Sequence, residues 1–520
     1  MPTFLLVLVI AAPVAGALAE LAAAAVAAGR PAGRRPGRFA AVGAGVGCAG
    51  IAGLAVAGLA GSATAVVGEP VPWLRADPVF LLVSGVASLI GLTVLVYARR
   101  ALDPGEDALR MATVAPLALA GTMTVAAAGR LSVLVLGWIG ASVAVVLMLW
   151  HDREPLRRAA ARRAALAMGV GDAALLVGAV IVLALVGDPA LDGLAGAVPA
   201  LADTQLVIGD RVIASALGVV AVLFVVAALA RGAQLPLPAW LPGTLAAPTP
   251  TSALLHAGVV NAGAVLLIRT FDLFAAAPVA AWALALACGA TILVAAGAGL
   301  ARPDAKGALA LSTTAQMGFM LLAVGVGAPG AALTHLAGHA CYKSARFLGV
   351  GGTVAGTASR RRFRRTGADA SVGVRAGRLL VAAGAGSIVA AGAAALLPAA
   401  DAWIVGAALG ATTTIAAAAW LRRPHEAATV AAAGVVGVVA LAGLALGAAV
   451  TVESQLAAAL PTTATALAAP GALAVLAAAG LAGHVALRHP RSAPRLWSRL
   501  GAVGRLPISI SHHRSLRSQP

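Results

Sequence analysis

Charge is scarce in this chain of 520 residues: Asp, Glu, Lys and Arg together make up 11%, against 61% hydrophobic residues and a mean hydropathy of +0.95. So little polar surface cannot cover an aqueous globule, which excludes a soluble enzyme or binding domain. Lysine is nearly missing, with Lys306 and Lys343 the only two. Cysteine is as rare: Cys48, Cys288 and Cys341 are too scattered for a disulfide framework or a thiolate metal motif, and read as small apolar packers. Long polar intervals are also lacking. The longest lie near 351–375 and 488–520, and neither accommodates a soluble catalytic domain.

What is present is a succession of apolar runs long enough to span a bilayer, rich in alanine and with 61 glycines that let helices approach closely. The runs predict an all-α membrane protein, a polytopic bundle of about 14 to 15 transmembrane helices. The spans fall near 3–28, 38–67, 77–98, 108–127, 130–150, 164–187, 211–232, 250–270, 277–299, 306–326, 330–350, 376–398, 402–421, 427–450 and 469–487. They group as N-terminal helices (1–107), a core (108–421), C-terminal helices (422–487) and a basic tail (488–520). The first segment, MPTFLLVLVIAAPVAG, lacks a basic n-region and reads as a helix, not a cleaved signal.

The net charge of +18 comes from arginines in short loops: Arg30 to Arg38, Arg99 and Arg100, Arg153 to Arg163, Arg360 to Arg365, Arg422 and Arg423, and the tail from Arg488. Each cluster follows an odd-numbered span, so by the positive-inside rule these loops are cytoplasmic, with the N-terminus outside and the C-terminus inside a plasma membrane. No aromatic-bearing basic face suggests nucleic acid. The tail reads as solvated, or as a segment resting on anionic membrane lipids.

One stretch interrupts the oily pattern: QLPLPAWLPGTLAAPTPTSALLHAGVVNAGAVLLIR, residues 234–269. Proline removes a backbone donor, so Pro236, Pro238 and Pro242 together predict an unwound helix at membrane depth, beside a hydrated, protein-lined cavity. Broken helices of this kind occur in ion-coupled transporters, often twice, in inverted repeats. Pro398, in LLPAADAW, is the candidate second break, relating spans 4–8 to 9–13.

Ionisable residues within spans are costly and therefore functional candidates. They are Asp172, Arg231, His256 with Asn261 on the same span, and the row His335, His339, Lys343 in THLAGHACYKSARF, which continues to Arg346. Spacing by four stacks this row on one helical face. That is the form of a proton relay, since imidazole changes charge near neutral pH. The alternatives are a helix-to-helix hydrogen bond for His256 and snorkelling to an interface for Lys343 and Arg346. His335 and His339 have zinc-pair spacing but no carboxylate on their face and no HExxH pattern, so no metal is expected on this chain. Glu20 is a weaker candidate near a helix end.

Three ordered motifs, AQLPLPAWLPGTLAAPTPTSALLHAGVVNAG, DAKGALALSTTAQMGFM and HLAGHACYKSARFL, resemble the proton-conducting membrane transporter family shared by antiporter-like subunits of respiratory complex I and by Mrp cation/proton antiporters. The likeness covers roughly residues 75–405. Within the family, HAGVVNAG, the segment DPVFLLVSGVASLIGLTVLVYARRAL and Gly171-Asp172 look most like the membrane subunit of DAB inorganic-carbon uptake complexes. That resemblance implies a cation path through His256, Lys306, His335, His339 and Lys343, with Asp172 as charge partner. It also implies a zinc-bearing, carbonic-anhydrase-like partner subunit.

The chain departs from the family at three positions: Ile139 where a glutamate follows Gly-Trp, Arg231 for a lysine before the break, and Ala400 for a lysine at the second break. Arginine stays protonated, so Arg231 tunes its neighbours without releasing a proton. The expectation is a transporter subunit that is not an enzyme and needs no cofactor, conducting protons or another cation to drive carbon uptake. An Mrp-type or complex I subunit 5-like chain, or a non-conducting scaffold, are the competing readings. Activity that survives His256→Ala with Lys343→Ala would favour the scaffold.

Overall fold

The structure, a computed structural model, describes residues 2–27, 35–59, 66–67, 72–151, 153–300, 302, 304–360 and 372–396, with scattered helical positions between 413 and 454. Pro398, Ala400, the last three spans for the most part and the tail lie outside the described residues. The long helices are α1 (Pro2–Ala27), α2 (Arg38–Leu59), α3 (Pro78–Ala101), α4 (Glu106–Ala127), α5 (Leu131–Leu149) and α6 (Pro155–Val186). After the short α7 (Val198–Asp203) come α8 (Ala216–Arg231), α9 (Trp240–Gly243), α10 (Thr249–Ala257), α11 (Ala262–Arg269), α12 (Phe271–Ala275), α13 (Pro278–Leu300), α14 (Ala305–Gly325), α15 (Pro329–Arg360) and α16 (Val372–Leu396).

Among the described residues nine helical stretches are long and apolar enough to cross a membrane, one of them the pair α10–α11. The molecule is therefore an all-helical, multi-pass membrane bundle. The 16-residue α8 is shorter than these, and α15 carries the row of histidines and Lys343.

Local chemistry sets the helix ends. Asp77 caps α3, its Oδ1 accepting the Phe80 N–H at 2.8 Å with Pro78 in the first turn, and Arg99 and Arg100 close the last turn. Asp304 caps α14 through the Gly307 N–H at 2.7 Å. Glu20, buried in α1, accepts the N–H groups of Gly37 and Phe39 at 2.9 and 2.7 Å, so it caps the start of α2. Its place is architectural.

Close helix crossings follow from glycine. A Cβ on Gly121 of α4 would stand 2.8 Å from the Ala141 nitrogen of α5, and one on Gly137 would stand 2.8 Å from Thr124. These two positions let α4 and α5 pack backbone to backbone.

Two small antiparallel ribbons depart from the sequence expectation. Val66–Val67 (β1) pairs with Leu74–Arg75 (β2), and Gln205–Ile208 (β3) with Arg211–Ser215 (β4), with a bulge at Leu206/Val207. Span 7 therefore starts at Ala216, capped by Ser215, and not at 211. The signal lay in QLVIGDRVIAS, two short apolar runs around a Gly-Asp turn, with Gly209 at φ 61°.

A buried ion pair ties the ends of α3, α4 and α11. Arg269 donates to both oxygens of Asp77, at 2.9 Å for Nη2 to Oδ1, and also to the carbonyl of Ala126. Arg75 extends the network from Asp77 to Asp192. Burial pushes the Asp77 carboxyl up, but the Arg269 guanidinium and the Phe80 N–H outweigh it and hold it below the usual carboxylate range. A lowered carboxylate stabilises the fold above its unfolded pKa and loses that contribution as pH falls through the folded value. Asp77→Asn should destabilise the protein by about 3–5 kcal/mol, measured by thermal unfolding in detergent. The gap between wild type and variant should shrink as the pH falls below the carboxylate range.

Candidate functional site

The prolines break the chain where expected. α8 ends at Arg231, and residues 232–239, with Pro236 and Pro238, are non-helical. Ala233 takes a left-handed φ of 54°, while the Gln234 N–H reaches back to the Leu229 carbonyl at 2.9 Å, which closes the helix end. Pro242 does not unwind anything: it sits inside the one-turn α9. A second interruption, absent from the sequence reading, separates α10 from α11 at a 3-10 turn over Val259–Asn261, where Asn261 Nδ2 donates to the Ala257 carbonyl at 2.7 Å.

The carbonyls freed by the break find protein donors. Gln234 Nε2 donates to the carbonyls of Gly232 and Thr314, at 2.6 and 3.0 Å, and Trp240 Nε1 to that of Ala230 at 3.0 Å. Lys306 Nζ spans the carbonyls of Leu245 and Ala247, at 2.9 and 2.7 Å. Side chains from within the protein thus satisfy part of the broken backbone. Lys306 holds the broken segment against the start of α14.

Around that anchor α10, α14 and α15 bring together the titratable side chains picked out in the sequence. His256 is fully buried and stacks on Phe347, ring centroids 4.5 Å apart, with Nε2 3.2 Å from Thr244 Oγ1. Thr244 donates its own hydrogen to the Leu241 carbonyl, so its oxygen can only accept from His256. That places the ring hydrogen on Nε2 and leaves Nδ1, which has no hydrogen-bond partner among the described residues, as the proton-accepting atom.

His339 bonds at both nitrogens: Nε2 to the His256 carbonyl at 3.1 Å and Nδ1 to Gln316 Oε1 at 3.0 Å. A neutral ring donates from one nitrogen only. The second bond needs either a charged ring or the Gln316 amide turned to present its NH₂. His339 therefore has a bonded arrangement in each protonation state. His335 stacks on His339 at 5.7 Å and meets Phe319 in a tilted contact at 5.1 Å. Lys343, fully buried one turn on, donates to the Leu309 carbonyl at 2.9 Å and to Ser312 Oγ at 2.5 Å.

Asp172 and Arg231 stand apart from this cluster, in a second one between α5, α6 and α8. Arg231, 1% exposed, donates to the Trp138 carbonyl at 3.0 Å and to Ser142 Oγ at 2.6 Å, with its guanidinium 4.1 Å above the Trp138 ring. Ser142 in turn donates to Asp172 Oδ1 at 2.6 Å, and Arg231 and Asp172 are 3.7 Å apart. Asp172 is thus a charge partner of Arg231, and no contact with the lysines or histidines is among its hydrogen bonds and ion pairs in the described residues. Ile139, where the family places a glutamate, packs on the hydrophobic core. Ser142, one turn further along α5, was missed by the sequence reading, as was Gln316; a serine or glutamine carries no signal until its neighbours are known.

Residues 128–370 match the family described as NADH:quinone oxidoreductase/Mrp antiporter, transmembrane. The likeness first seen in three motifs is borne out over this stretch. NADH-quinone oxidoreductase subunit L of Mycobacterium tuberculosis (strain ATCC 25618 / H37Rv) is 36% identical over 292 residues, 55% of this chain and 44% of that protein. The probable inorganic carbon transporter subunit DabB2 of Halothiobacillus neapolitanus (strain ATCC 23641 / c2) is 46% identical over 136 residues, 26% of this chain and 25% of its own length. The chain thus spans less than half the length of either relative in the matched stretch. Among solved structures, a chain of the Mrp complex from Dietzia sp. DQ12-45-1b superposes with a TM-score of 0.60 at 23% identity, covering 98% of this chain and 61% of that one, which shows the fold.

These relatives correct one expectation. The sequence reading set the chain apart from enzymes altogether, yet a protein similar to it is a subunit of a quinone oxidoreductase, an enzyme complex in which such a chain is a membrane module. The chain is a multi-pass membrane protein similar to subunits of a quinone oxidoreductase and of an Mrp complex.

The Arg231 cluster is open to direct test. Asp172→Asn leaves a buried guanidinium without its counter-charge and should cost about 3–5 kcal/mol in detergent melts, whereas Asp172→Leu combined with Arg231→Met should recover most of that loss.

Proposed function

We propose that this chain is the proton-conducting membrane subunit of a larger complex, and that the complex takes up inorganic carbon. One observation carries the conduction reading: His256, His339, His335 and Lys343 form a single buried cluster that is hydrogen-bonded onwards through Thr244, Gln316 and Ser312. Every member has a proton to give or an atom to take one.

In the conduction step, Ser312 Oγ takes a proton from Lys343 as its own hydrogen leaves on the other side, and charged His339 donates from Nδ1 to Gln316 Oε1 and from Nε2 to the His256 carbonyl. Water admitted to the cluster supplies the proton to His339 Nδ1 and to the bare Nδ1 of His256. Lys306 stays on the Leu245 and Ala247 carbonyls and keeps α10 in register with α14, so that the path has fixed geometry. The orientation follows the arginine clusters, with the starts of α14 and the loop after α15 on the cytoplasmic side.

The carbon-uptake reading rests on the 46% identical stretch shared with a carbon transporter subunit and on Arg231, an arginine paired with Asp172 where the resemblance places a lysine. A subunit that spends an existing gradient needs no charge pair that opens and closes. The partner would be a cytoplasmic, zinc-bearing, carbonic-anhydrase-like subunit. Tagged protein purified from its native membrane in mild detergent should bring down a large zinc-containing soluble protein. Copurification of redox subunits or of other antiporter-like chains, without zinc, would sink the carbon reading and leave a complex I or Mrp assembly.

Lys343→Arg tests conduction itself. Arginine keeps the donors and the charge but does not release its proton at accessible pH. Proton flux in vesicles holding the reconstituted complex should fall at least about tenfold, the scale of losing a positioned proton-transfer group, with assembly on size exclusion unchanged.

A further inference from the structure

Between α13, α14 and α15 lies a cavity of about 580 Å³. Small residues, among them Ala296, Gly299 and Ala308, form much of its wall, and its polar lining among the described residues is Ser312, Gln316 and Arg346. Ser312 and Gln316 each face two ways. The same serine receives Lys343 and the same glutamine bonds His339. The buried cluster therefore communicates with the cavity through two uncharged side chains, while the one charged group in the lining is the exposed Arg346. No acidic side chain lines the cavity among the described residues.

We propose that this cavity is the cytoplasmic antechamber of the proton path and that Arg346 makes it selective for protons by excluding metal cations. The inference rests on the conduction reading above. A sodium or potassium ion entering the cavity meets a permanent guanidinium charge and no carboxylate to offset its lost hydration. A proton need not enter as a free cation: it crosses by hydrogen-bond exchange at Ser312 Oγ or at the Gln316–His339 contact. Arg346 thus sets which cation passes, without itself carrying protons.

The test uses the native complex reconstituted in vesicles, with proton flux followed by a pH dye and metal-cation flux by radiolabelled sodium and rubidium. Wild type should move protons and remain tight to both metals. Arg346→Gln should raise sodium or rubidium entry on the order of tenfold or more, the scale of removing a like charge at contact range, with proton flux within about twofold of wild type. Arg346→Lys, which restores the charge, should be as tight as wild type. Proton-conducting wild type with an Arg346→Gln variant that stays tight overturns the role of Arg346 and leaves conduction standing, as does an Arg346→Lys variant that leaks like Arg346→Gln. Wild type that passes no protons overturns the conduction reading beneath it.

Discussion

A bilayer offers no partner for a bare peptide group, and the whole arrangement of this protein turns on how that demand is met where the helix stops. Over residues 232–248 the ordinary ladder is interrupted, and side chains take part of its place: Gln234, Trp240 and Lys306 each donate to carbonyls at or beside the break. Because Lys306 comes from α14 and Gln234 reaches Thr314 of the same helix, the repair of the break also fixes α14 against α10. That contact is what places His256 beneath α15, within reach of His339. Backbone satisfaction and the assembly of the titratable cluster are one structural event.

The buried charges divide by what they can do. The Arg231–Ser142–Asp172 group pairs a permanent cation with a carboxylate through a hydroxyl and holds α5, α6 and α8 together. Among the described residues the histidines and Lys343 instead have no acidic partner in their hydrogen-bonding and sit among carbonyls, hydroxyls and an amide. Fixed pairs lock the scaffold on one side, and groups able to exchange protons collect on the other. The second buried pair, Arg269–Asp77, locks the ends of α3 and α11 in the same way.

Much of this was legible in the sequence. The spans near 108–127, 130–150, 277–299 and 306–326 lie within two residues of α4, α5, α13 and α14, because apolar runs there end at proline, arginine or a capping aspartate. The four-residue spacing of His335, His339 and Lys343 reported their shared face directly. What the sequence could not give were contacts across distance. Nothing in LGWIGASV announces that Ser142 will bridge residues 172 and 231, and the sequence names Asp172 as a charge partner without showing that Arg231 is the cation it balances. The donors that satisfy part of the break were hidden for a related reason: they come partly from Lys306 and Trp240, which proline counting does not see. Pro398 and Ala400 lie outside the described residues.

The most direct measurement is proton uptake by vesicles containing the reconstituted complex under an imposed potential, comparing wild type with His339→Leu. His339 touches His256 and Gln316, so a relay through the cluster predicts that the leucine variant assembles normally and loses nearly all proton flux. Undiminished flux in an intact His339→Leu complex would contradict conduction through these residues.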